Sequence, residues 1–364
     1  MDLSAEILRP GRVAAGLLLA TLVGLLSTLG SFVAADTPEA TQPFPGFVIL
    51  DGNSVPDIGP LPTSVPFPGT NLNYQAKVEL GKQLYFDGRL SKDGSVSCAF
   101  CHNPGTGFAD ARQFSIGVGG GLGGRQSPTV LNSAFNDTQF WDGRAGSLEE
   151  QAIGPIQNPI EMAETHENVV KKLRKVKGYQ AQFRDVFGTD VSLQNIAEAI
   201  AAFERTIIST NSAFDKYTLG DKQAMGESAV RGMALFKGKG RCVLCHSGPN
   251  FSDSEFHNLG VPQVGPLKED LGRYNVTRQE KDKGAFRTPT LRSISETAPY
   301  MHDGVFKTLE EVIAFFDQGG GPNPNLSPLM KPLNLTAEEK ADLVAFLKAL
   351  TGEPSKLTMP KLPK

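Results

Sequence analysis

Hydrophobic residues recur every three or four positions along much of the chain, which is the spacing of helices that bury one face. This spacing predicts helices over about 74–86 and 192–208, and a further helix that carries Leu343, Phe346 and Leu347. No segment shows sustained alternation of apolar and polar residues, which is the pattern of a half-buried strand. The sequence therefore predicts a mainly α-helical protein with long ordered loops.

Three helix starts are marked by a hydroxyl residue followed three positions later by glutamate, the arrangement of a capping box. The pairs are Ser147 with Glu150, Thr308 with Glu311, and Thr336 with Glu339. Residues 36–73, in contrast, are rich in proline and show little periodicity. We expect this segment to be an extended N-terminal arm that wraps or tethers, rather than a domain.

The first 35 residues have the pattern of an export signal. Arg9 and Arg12 precede the apolar run Val13–Leu29, and Val33-Ala34-Ala35 suits a signal peptidase. We predict that this signal peptide, residues 1–35, is cleaved and that the protein is periplasmic. The alternative is an uncleaved membrane anchor, because the apolar stretch is long enough to span a bilayer. A formal net charge of −3 without long basic runs argues against nucleic acid as a partner.

All four cysteines fall in two copies of Cys-x-x-Cys-His, one formed by Cys98, Cys101 and His102 and the other by Cys242, Cys245 and His246. Two thiols on one local turn can bond the two vinyl groups of haem, and the adjacent histidine can ligate its iron. The alternative is a zinc site shared by the two cysteine pairs, but zinc ribbons keep such pairs about 15 to 20 residues apart. The motifs predict two covalently bound haem c groups.

The two motifs lie in different halves of the chain, so we predict one cytochrome c domain around each. The N-terminal domain is expected over 74–215 and the C-terminal domain over 216–352, with a tail at 353–364. The glycine-rich loop Gly117–Gly124 lacks both a preceding strand and the lysine that a P-loop needs. Glycines that let the backbone pass close to a flat cofactor explain this loop better than nucleotide binding does.

Several further motifs carry a resemblance to a known family. They are Gly123–Thr129, Phe140–Arg144, Asn158–Met162, Phe256–Gly260, Phe286–Arg292 and Thr297–Gly304. Over about 74–352 the chain resembles the bacterial dihaem cytochrome c peroxidases and their relative MauG, which modifies tryptophans of a partner protein. The resemblance implies two c-type cytochrome domains packed with a pseudo-two-fold arrangement.

The resemblance also implies roles for particular residues. The N-terminal haem would be the peroxide site, with His102 as its proximal ligand and Glu161 as the acid–base group above the open iron face. Trp141 would conduct electrons between the haems or share a radical. Thr297 and Pro299 would bind a calcium ion through their carbonyl oxygens. Gln126 stands where the family usually has an asparagine calcium ligand.

Two departures from the family pattern bear on function. The loop that begins at Ile116 has no histidine, so the first haem is expected to stay open without reductive activation. Phe316 occupies the position from which the family supplies a methionine or tyrosine to the second haem, and phenylalanine cannot ligate iron. The remaining candidates for that ligand are Met301, His302, His257 and Met330, none of them favoured by spacing.

Three functions follow from this sequence. The main prediction is a peroxidase that uses hydrogen peroxide and takes electrons from a small cytochrome or copper protein. The alternative is a MauG-like oxidase that uses peroxide to oxidise aromatic residues of a partner protein. A non-catalytic electron carrier is the third, but it would leave Glu161 and an open haem without a task. The sequence leaves the oligomeric state open, a homodimer included.

Overall fold

The computed structural model describes residues 46–69, 71–72, 74–353 and 357–364. Pro43–Lys364 forms one compact unit. The predicted signal peptide, residues 1–35, and the beginning of the predicted arm lie outside the described residues. Within the described part of the chain, no helix has the length and apolar character needed to cross a membrane.

The architecture is mainly α-helical, as predicted, with two short antiparallel strand pairs. The helices are α1 Gln75–Tyr85, α2 Cys98–Cys101, α3 Leu148–Gln157, α4 His166–Leu173, α5 Lys177–Phe187, α6 Leu193–Glu204, α7 Ala213–Thr218, α8 Glu227–Lys237, α9 Tyr274–Thr277, α10 Leu309–Asp317 and α11 Ala337–Ala349. The strands are β1 Phe47–Leu50, β2 Asn53–Pro56, β3 Phe256–His257 and β4 Phe286–Arg287. Long loops connect these elements and carry most of the motifs identified in the sequence.

Two hydrophobic cores lie in succession along the chain. The first is built largely by α1 and α6, which cross where Gly81 lets its backbone approach the carbonyl of Ala199. The second is built largely by α8 and α11 and contains four phenylalanines whose ring centroids are 5.2 to 6.3 Å apart: Phe214, Phe236, Phe251 and Phe346. The division of the chain into two cytochrome domains stays a prediction.

The capping boxes explain where two of the helices begin. The side chains of Thr308 and Thr336 each accept a hydrogen bond from the backbone N–H of the glutamate three residues later. Each glutamate carboxylate in turn accepts a hydrogen bond from the backbone N–H of its threonine. At Ser147 only half of the box forms, because Glu150 accepts a bond from the Gly146 amide instead. Both arrangements satisfy amides that would otherwise lack partners at a helix start.

The predicted arm contains a β-hairpin, which corrects the expectation of an extended segment with little periodicity. β1 pairs with β2 so that Leu50 lies opposite Asn53. The two turn residues between them, Asp51 and Gly52, have φ of 50° and 78°. A two-residue Asp-Gly turn with both φ positive matches the right-handed twist of the strands it joins. We call residues 47–56 the N-terminal hairpin.

The two ends of the described chain pack on opposite cores. Val48, Leu50 and Val55 of the N-terminal hairpin contact the second core, and Ile58 is part of it. Near the other end, Leu357 contacts the first core, and the Lys364 carbonyl accepts a hydrogen bond of 3.1 Å from the Gly178 amide. The N-terminal hairpin therefore packs on the second core, and the C-terminal residues pack on the first core.

Candidate haem sites and active site

The first Cys-x-x-Cys-His motif is shaped by one helical turn. α2 begins at Cys98 and ends at Cys101, and the His102 amide donates a 2.9 Å hydrogen bond to the Cys98 carbonyl. The Nδ1 atom of His102 lies 2.9 Å from the Pro128 carbonyl oxygen. Because a carbonyl only accepts, Nδ1 carries the proton and Nε2 keeps its lone pair. This is the tautomer that ligates iron through Nε2.

The second motif repeats this arrangement with a 3₁₀ turn at Cys242–Leu244. The His246 amide bonds to the Cys242 carbonyl at 2.8 Å, and His246 Nδ1 lies 2.9 Å from the Phe251 carbonyl oxygen. Burial lowers the pKa of both His102 and His246, which keeps the rings neutral. A neutral imidazole is the form that binds a metal.

The four thiols are free and do not form disulfides. Burial raises the pKa of Cys98, of Cys101 to about 11 and of Cys242 to about 12, which disfavours the thiolate that zinc requires. Among the described residues, the one cluster of cysteine, histidine and carboxylate atoms close enough to hold a metal contains Cys245, Asp253 and His257. It includes neither cysteine of the first motif, so a zinc site shared by the two motifs finds no support.

A cavity of about 620 Å³ adjoins the second motif. Its wall includes Cys242, Cys245 and His246, and its size lies within the range of pockets that hold organic cofactors. Apolar side chains of α10 and α11 form much of the remaining wall, namely Leu309, Val312, Ile313, Phe316, Leu343 and Leu347. These properties suit a large, flat and mostly apolar group.

Arg287 supplies a second test of whether haem fits this cavity. Its side chain lines the wall, is only 5% exposed and bonds to the carbonyls of Phe140 and Thr288. No carboxylate within the described chain forms an ion pair with it; burial lowers its pKa to about 10, and the more distant charge of Asp137 only partly opposes that shift. A buried cation without a counter-ion is costly. The two carboxylates of a haem would provide that missing charge, so the residues present fit the cofactor.

The four alternative ligands proposed for the second haem all line this cavity. The imidazole of His257 is held by Asp253 at 2.8 Å. Burial lowers its pKa, but Asp253 and Cys245 together outweigh burial and raise the pKa of His257 to about 10. The imidazole of His302 is stacked on Phe286, with ring centroids 3.6 Å apart. Both histidines therefore have structural partners, whereas Met301 and Met330 remain candidates. Phe316 also lines the cavity, at the position where the sequence predicted a missing ligand.

Glu161 is held beside the first motif by the glycine-rich loop. The Val118 amide donates a 2.8 Å bond to the Glu161 carbonyl, and Asn158 Nδ2 donates a 2.7 Å bond to Glu161 Oε1. Burial raises the pKa of Glu161, although Arg144 and Asn158 oppose the shift. The charge of Glu161 in turn contributes to raising the pKa of the Cys101 thiol. Geometry also places Glu161 near the first motif, because the adjacent Met162 belongs to the first core, against which Cys98 and Cys101 pack.

Gly117 is what allows the loop to approach so closely. A Cβ atom built on Gly117 would lie 2.6 Å from the Glu161 carbonyl oxygen and closer still to that of Ile160. Real Cβ atoms do not come within 3.0 Å of such an atom. The glycine at this position is thus explained by contact with the Glu161 segment.

Trp141 connects segments from the two halves of the chain. Its Nε1 donates a 2.9 Å bond to the Gln126 carbonyl, and the Gln126 amide donates a 2.8 Å bond to the His302 carbonyl. The Trp141 and His302 rings meet edge to face with centroids 6.5 Å apart. Trp141, His302 and Phe286 form a continuous aromatic row along the wall of the second-haem cavity.

The residues expected to bind calcium lie in the same region. Thr297 and Pro299 line the cavity that adjoins the second motif, and so does Gln126, which stands where the family usually has an asparagine ligand. The side-chain Nε2 of Gln126 donates a 3.2 Å bond to the Asp110 carbonyl. The calcium site stays a prediction.

Sequence reasoning missed two charged contacts at this site. One is Arg287, which could have been noticed as the only charged residue inside Phe-Arg-Thr-Pro-Thr. The other is the ion pair between Asp51 and Arg241, which joins the N-terminal hairpin to the residue that precedes Cys242. The sequence shows Asp51-Gly52 as a turn signal, but it does not show that Asp51 pairs with Arg241, which lies 190 positions later.

Comparison with known proteins relates this site to a family. Residues 75–223 match the family of di-haem cytochrome c peroxidases. The chain is 43% identical over 304 residues to the methylamine utilization protein MauG of Methylorubrum extorquens, covering 83% of this chain and 86% of that protein. It is 42% identical over 339 residues to a cytochrome-c peroxidase of Pseudomonas sp., covering 85% and 89% of the two chains.

Solved structures agree with this relationship. A MauG-like protein associated with microbial copper homeostasis matches with a TM-score of 0.74 and 34% identity, covering 80% of this chain and 95% of that chain. The predicted family and the prediction of a haem-dependent oxidoreductase are confirmed, and the family implies two haem c groups. With both Cys-x-x-Cys-His motifs intact and relatives of this similarity, the chain belongs to the di-haem cytochrome c peroxidase family.

Proposed function

We propose that this protein is a periplasmic dihaem peroxidase that reduces hydrogen peroxide at the haem of His102 and receives electrons through the haem of His246. The observation that carries this proposal is Glu161, a half-buried carboxyl group that Asn158 holds next to Met162, in the core against which Cys98 and Cys101 pack. A structural electron carrier has no use for such a group. The net reaction consumes two electrons and two protons for each peroxide and yields two water molecules.

The bound haem would supply the iron that receives peroxide and the redox equivalents for cleaving its O–O bond. The protein would supply the protons and the geometry. Glu161 accepts a proton from the incoming peroxide at one carboxylate oxygen and returns it to the departing oxygen. Asn158 holds Oε1 in position, and the raised pKa of Glu161 brings the carboxyl closer to the pH at which it can both take and give a proton.

The substitution Glu161→Gln tests this proposal. It keeps the size of the side chain but removes the proton-transfer group, so we expect the reaction with peroxide to slow by about 100-fold or more. The matched control is Glu167→Gln, which removes an exposed carboxylate that pairs with Lys171. Stopped-flow mixing of each holoprotein with peroxide gives the rates. Wild-type rates in Glu161→Gln would remove Glu161 from the mechanism.

The finer features belong to the same proposal. We assign one cytochrome domain to each of 74–215 and 216–352, and a calcium ion to the carbonyl oxygens of Thr297 and Pro299. We propose that residues 1–35 direct export. The reductant would be a small cytochrome or copper protein.

A MauG-like oxidation of a partner protein is a second candidate. It is favoured by the loop that begins at Ile116, which has no histidine to block the first haem, and by the row of Trp141, His302 and Phe286. This function predicts that the fully oxidised protein reacts with peroxide to give a long-lived spectral change, and that reduced horse cytochrome c is a poor donor. An unchanged Soret band after peroxide, or fast oxidation of several donors, would count against it.

A further inference from the structure

Two pairs of helices in this protein repeat one arrangement. Where α1 crosses α6, a Cβ atom built on Gly81 would lie 3.1 Å from the Cβ atom of Phe203. Where α8 crosses α11, a Cβ atom built on Gly232 would lie 2.8 Å from the Cβ atom of Phe346. Each phenylalanine also meets an aromatic ring of the partner helix at a centroid distance of 5.2 Å. The helix α6 therefore corresponds to α11, with Phe203 at the position of Phe346.

The loops that lead into α3 and α10 repeat in the same way. An isolated antiparallel bridge closes each loop, between Gln139 and Ala145 in the first and between Tyr300 and Phe306 in the second. At the same spacing after each bridge comes the hydroxyl residue that caps the helix. The helix α3 therefore corresponds to α10.

This repeat indicates which side chains face the haem of the first motif. The wall of the cavity at the second motif includes side chains of α10 and α11, among them Leu309, Ile313, Leu343 and Leu347. Their counterparts in α3 and α6 are all buried, namely Leu148, Ala152, Ile200 and Glu204. Three of these counterparts are apolar, as expected for a wall against haem. Glu204 is the exception, because it places a carboxyl group where the second half has Leu347.

Glu204 is buried without a full set of hydrogen bonds. It is only 4% exposed, and within the described chain no donor reaches its Oε2 atom. The cation next to it in sequence, Arg205, is already paired with Glu149 at 2.8 Å. Burial raises the pKa of Glu204 to about 8; the charge of Arg205 opposes this shift and that of Glu149 adds to it. A buried carboxylate is costly without a positive charge of its own, so this carboxyl group is neutral unless such a charge lies near it.

Glu204 lies beside the first motif. The preceding Phe203 packs edge to face on Tyr85, and the Tyr85 hydroxyl donates a 3.0 Å hydrogen bond to the His102 carbonyl. Phe203 also belongs to the first core, against which Cys98 packs. Burial is the main cause of the raised pKa of the Cys98 thiol, and the charge of Glu204 adds to it. Contacts and the repeat thus place Glu204 at the same haem.

We propose that Glu204 takes up one proton when the haem of His102 gains an electron, and releases it when that electron leaves. An oxidised haem carries one more positive charge than a reduced haem, and a nearby positive charge favours the ionised carboxylate. When the electron enters, a carboxylate oxygen of Glu204 binds a proton from solvent, so the charge of the site stays constant. The electron comes from the reductant through the haem of His246. This inference rests on haem attachment at Cys98 and goes beyond the proposed reaction with peroxide.

The other ionisable groups around Glu204 keep one charge state in the relevant pH range. From α1, Tyr85 has a pKa that burial raises well above its ordinary value. From α2, Cys98 has no thiol left once it is bonded to haem. From α3, Glu149 has a lowered pKa, because hydrogen bonds from Arg205 and from an asparagine side chain outweigh its burial. The guanidinium of Arg205 stays charged.

The experiment measures the reduction potential of each haem against pH in the holoprotein, by spectroelectrochemical titration with redox mediators. In the wild type, the potential of the first haem should fall as the pH rises from about 4.5 to about 8, because reduction then takes up a proton. Glu204→Gln keeps the size of the side chain and should lose this slope. Glu204→Leu, which supplies the residue type of Leu347, should lose it as well. The second haem should behave alike in all of these proteins.

Two control variants test whether Glu204 is the group responsible. Glu198→Gln removes a carboxylate of the same helix, which lies 3.8 Å from Lys77. Glu161→Gln removes the other buried carboxyl group assigned to the first haem. Both variants should keep the slope of the wild type.

Infrared difference spectra of the reduced and oxidised wild type give a readout that does not require a variant to fold. Reduction should produce the C=O band of a neutral carboxyl group, and the band should be missing in Glu204→Gln. The inference is overturned by the absence of this band in the wild type, by a slope that survives in Glu204→Gln, or by a slope lost only in Glu161→Gln. A slope that depends on Glu204 in a protein that does not react with peroxide would support this inference and refute the proposed peroxidase function.

Discussion

Gly117→Ala should damage peroxide chemistry without touching a reactive group. The added methyl group would lie 2.6 Å from the Glu161 carbonyl oxygen and closer to that of Ile160, so the two segments must separate by more than about 0.5 Å to reach a 3.0 Å contact. The backbone of Gly117 has φ of −92°, which alanine adopts without strain. The substitution therefore acts only through this clash. The clash displaces the segment that contains Ile160 and Glu161.

The expected loss follows from this displacement. A misplacement of about 1 Å can cost on the order of 100-fold in rate, so we expect the reaction with peroxide to slow by about 10- to 100-fold. The hydrogen bond from Val118 to the Glu161 carbonyl should weaken at the same time. The haem content should stay at two per chain, because Gly117 lies outside both Cys-x-x-Cys-His motifs.

Gly121→Ala is the matched control within the same loop. Its added methyl group would meet Ile160 at 3.4 Å, an ordinary contact, and its φ of −60° is also open to alanine. Stopped-flow rates for the wild type and both variants, with haem spectra and thermal melts, make the comparison. Equal rates in all three proteins, or equal losses in both variants, would refute the claim that Gly117 positions Glu161.

Three other predictions concern the cores and the charges within them. Phe346→Ala should lower the free energy of unfolding by about 3 to 5 kcal/mol in urea titrations, since Phe346 is fully buried within the four-phenylalanine cluster; a loss below about 1 kcal/mol would contradict this. Burial raises the pKa of Glu204 to about 8, so the folded state holds a proton that the unfolded state releases above its ordinary value of 4.5. Stability should therefore fall by a few kcal/mol as pH rises from about 4.5 to 8, and Glu204→Gln should abolish that fall in urea titrations at several pH values. Arg287→Leu should lower the reduction potential of the second haem, because a buried positive charge favours the reduced state; equal potentials in spectroelectrochemical titrations of the variant and wild type would argue against contact with the haem carboxylates.

The sequence predicted most of what depends on local patterns. The helical spacing of apolar residues located α1, α6 and α11, and the hydroxyl–glutamate pairs at Thr308 and Thr336 marked two helix starts to the residue. Both signals act within four positions of the chain, where backbone geometry dictates which residues meet. The two Cys-x-x-Cys-His motifs are equally local, so the haem attachment sites could be predicted without a fold.

What the sequence did not supply depends on contacts between distant segments. The N-terminal hairpin was missed because Phe47–Leu50 is apolar at every position and hides its alternation, and because prolines nearby favoured an extended arm. That Arg287 is buried without an ion-pair partner among the described residues becomes visible only when its neighbours are known. An arginine in a sequence gives no sign of whether it is buried. The position of Gly117 against Ile160 likewise joins residues more than 40 positions apart.

The crossing of the chain ends has a consequence for the order in which the protein can assemble. The N-terminal hairpin contacts a core that includes Leu350, about 300 positions later, and Leu357 contacts a core built mainly from residues before position 208. Closing such long loops is slow, because their entropy is lost before the contacts form. The contacts that the N-terminal hairpin makes with the second core, and Leu357 with the first, are therefore expected to be among the last to form.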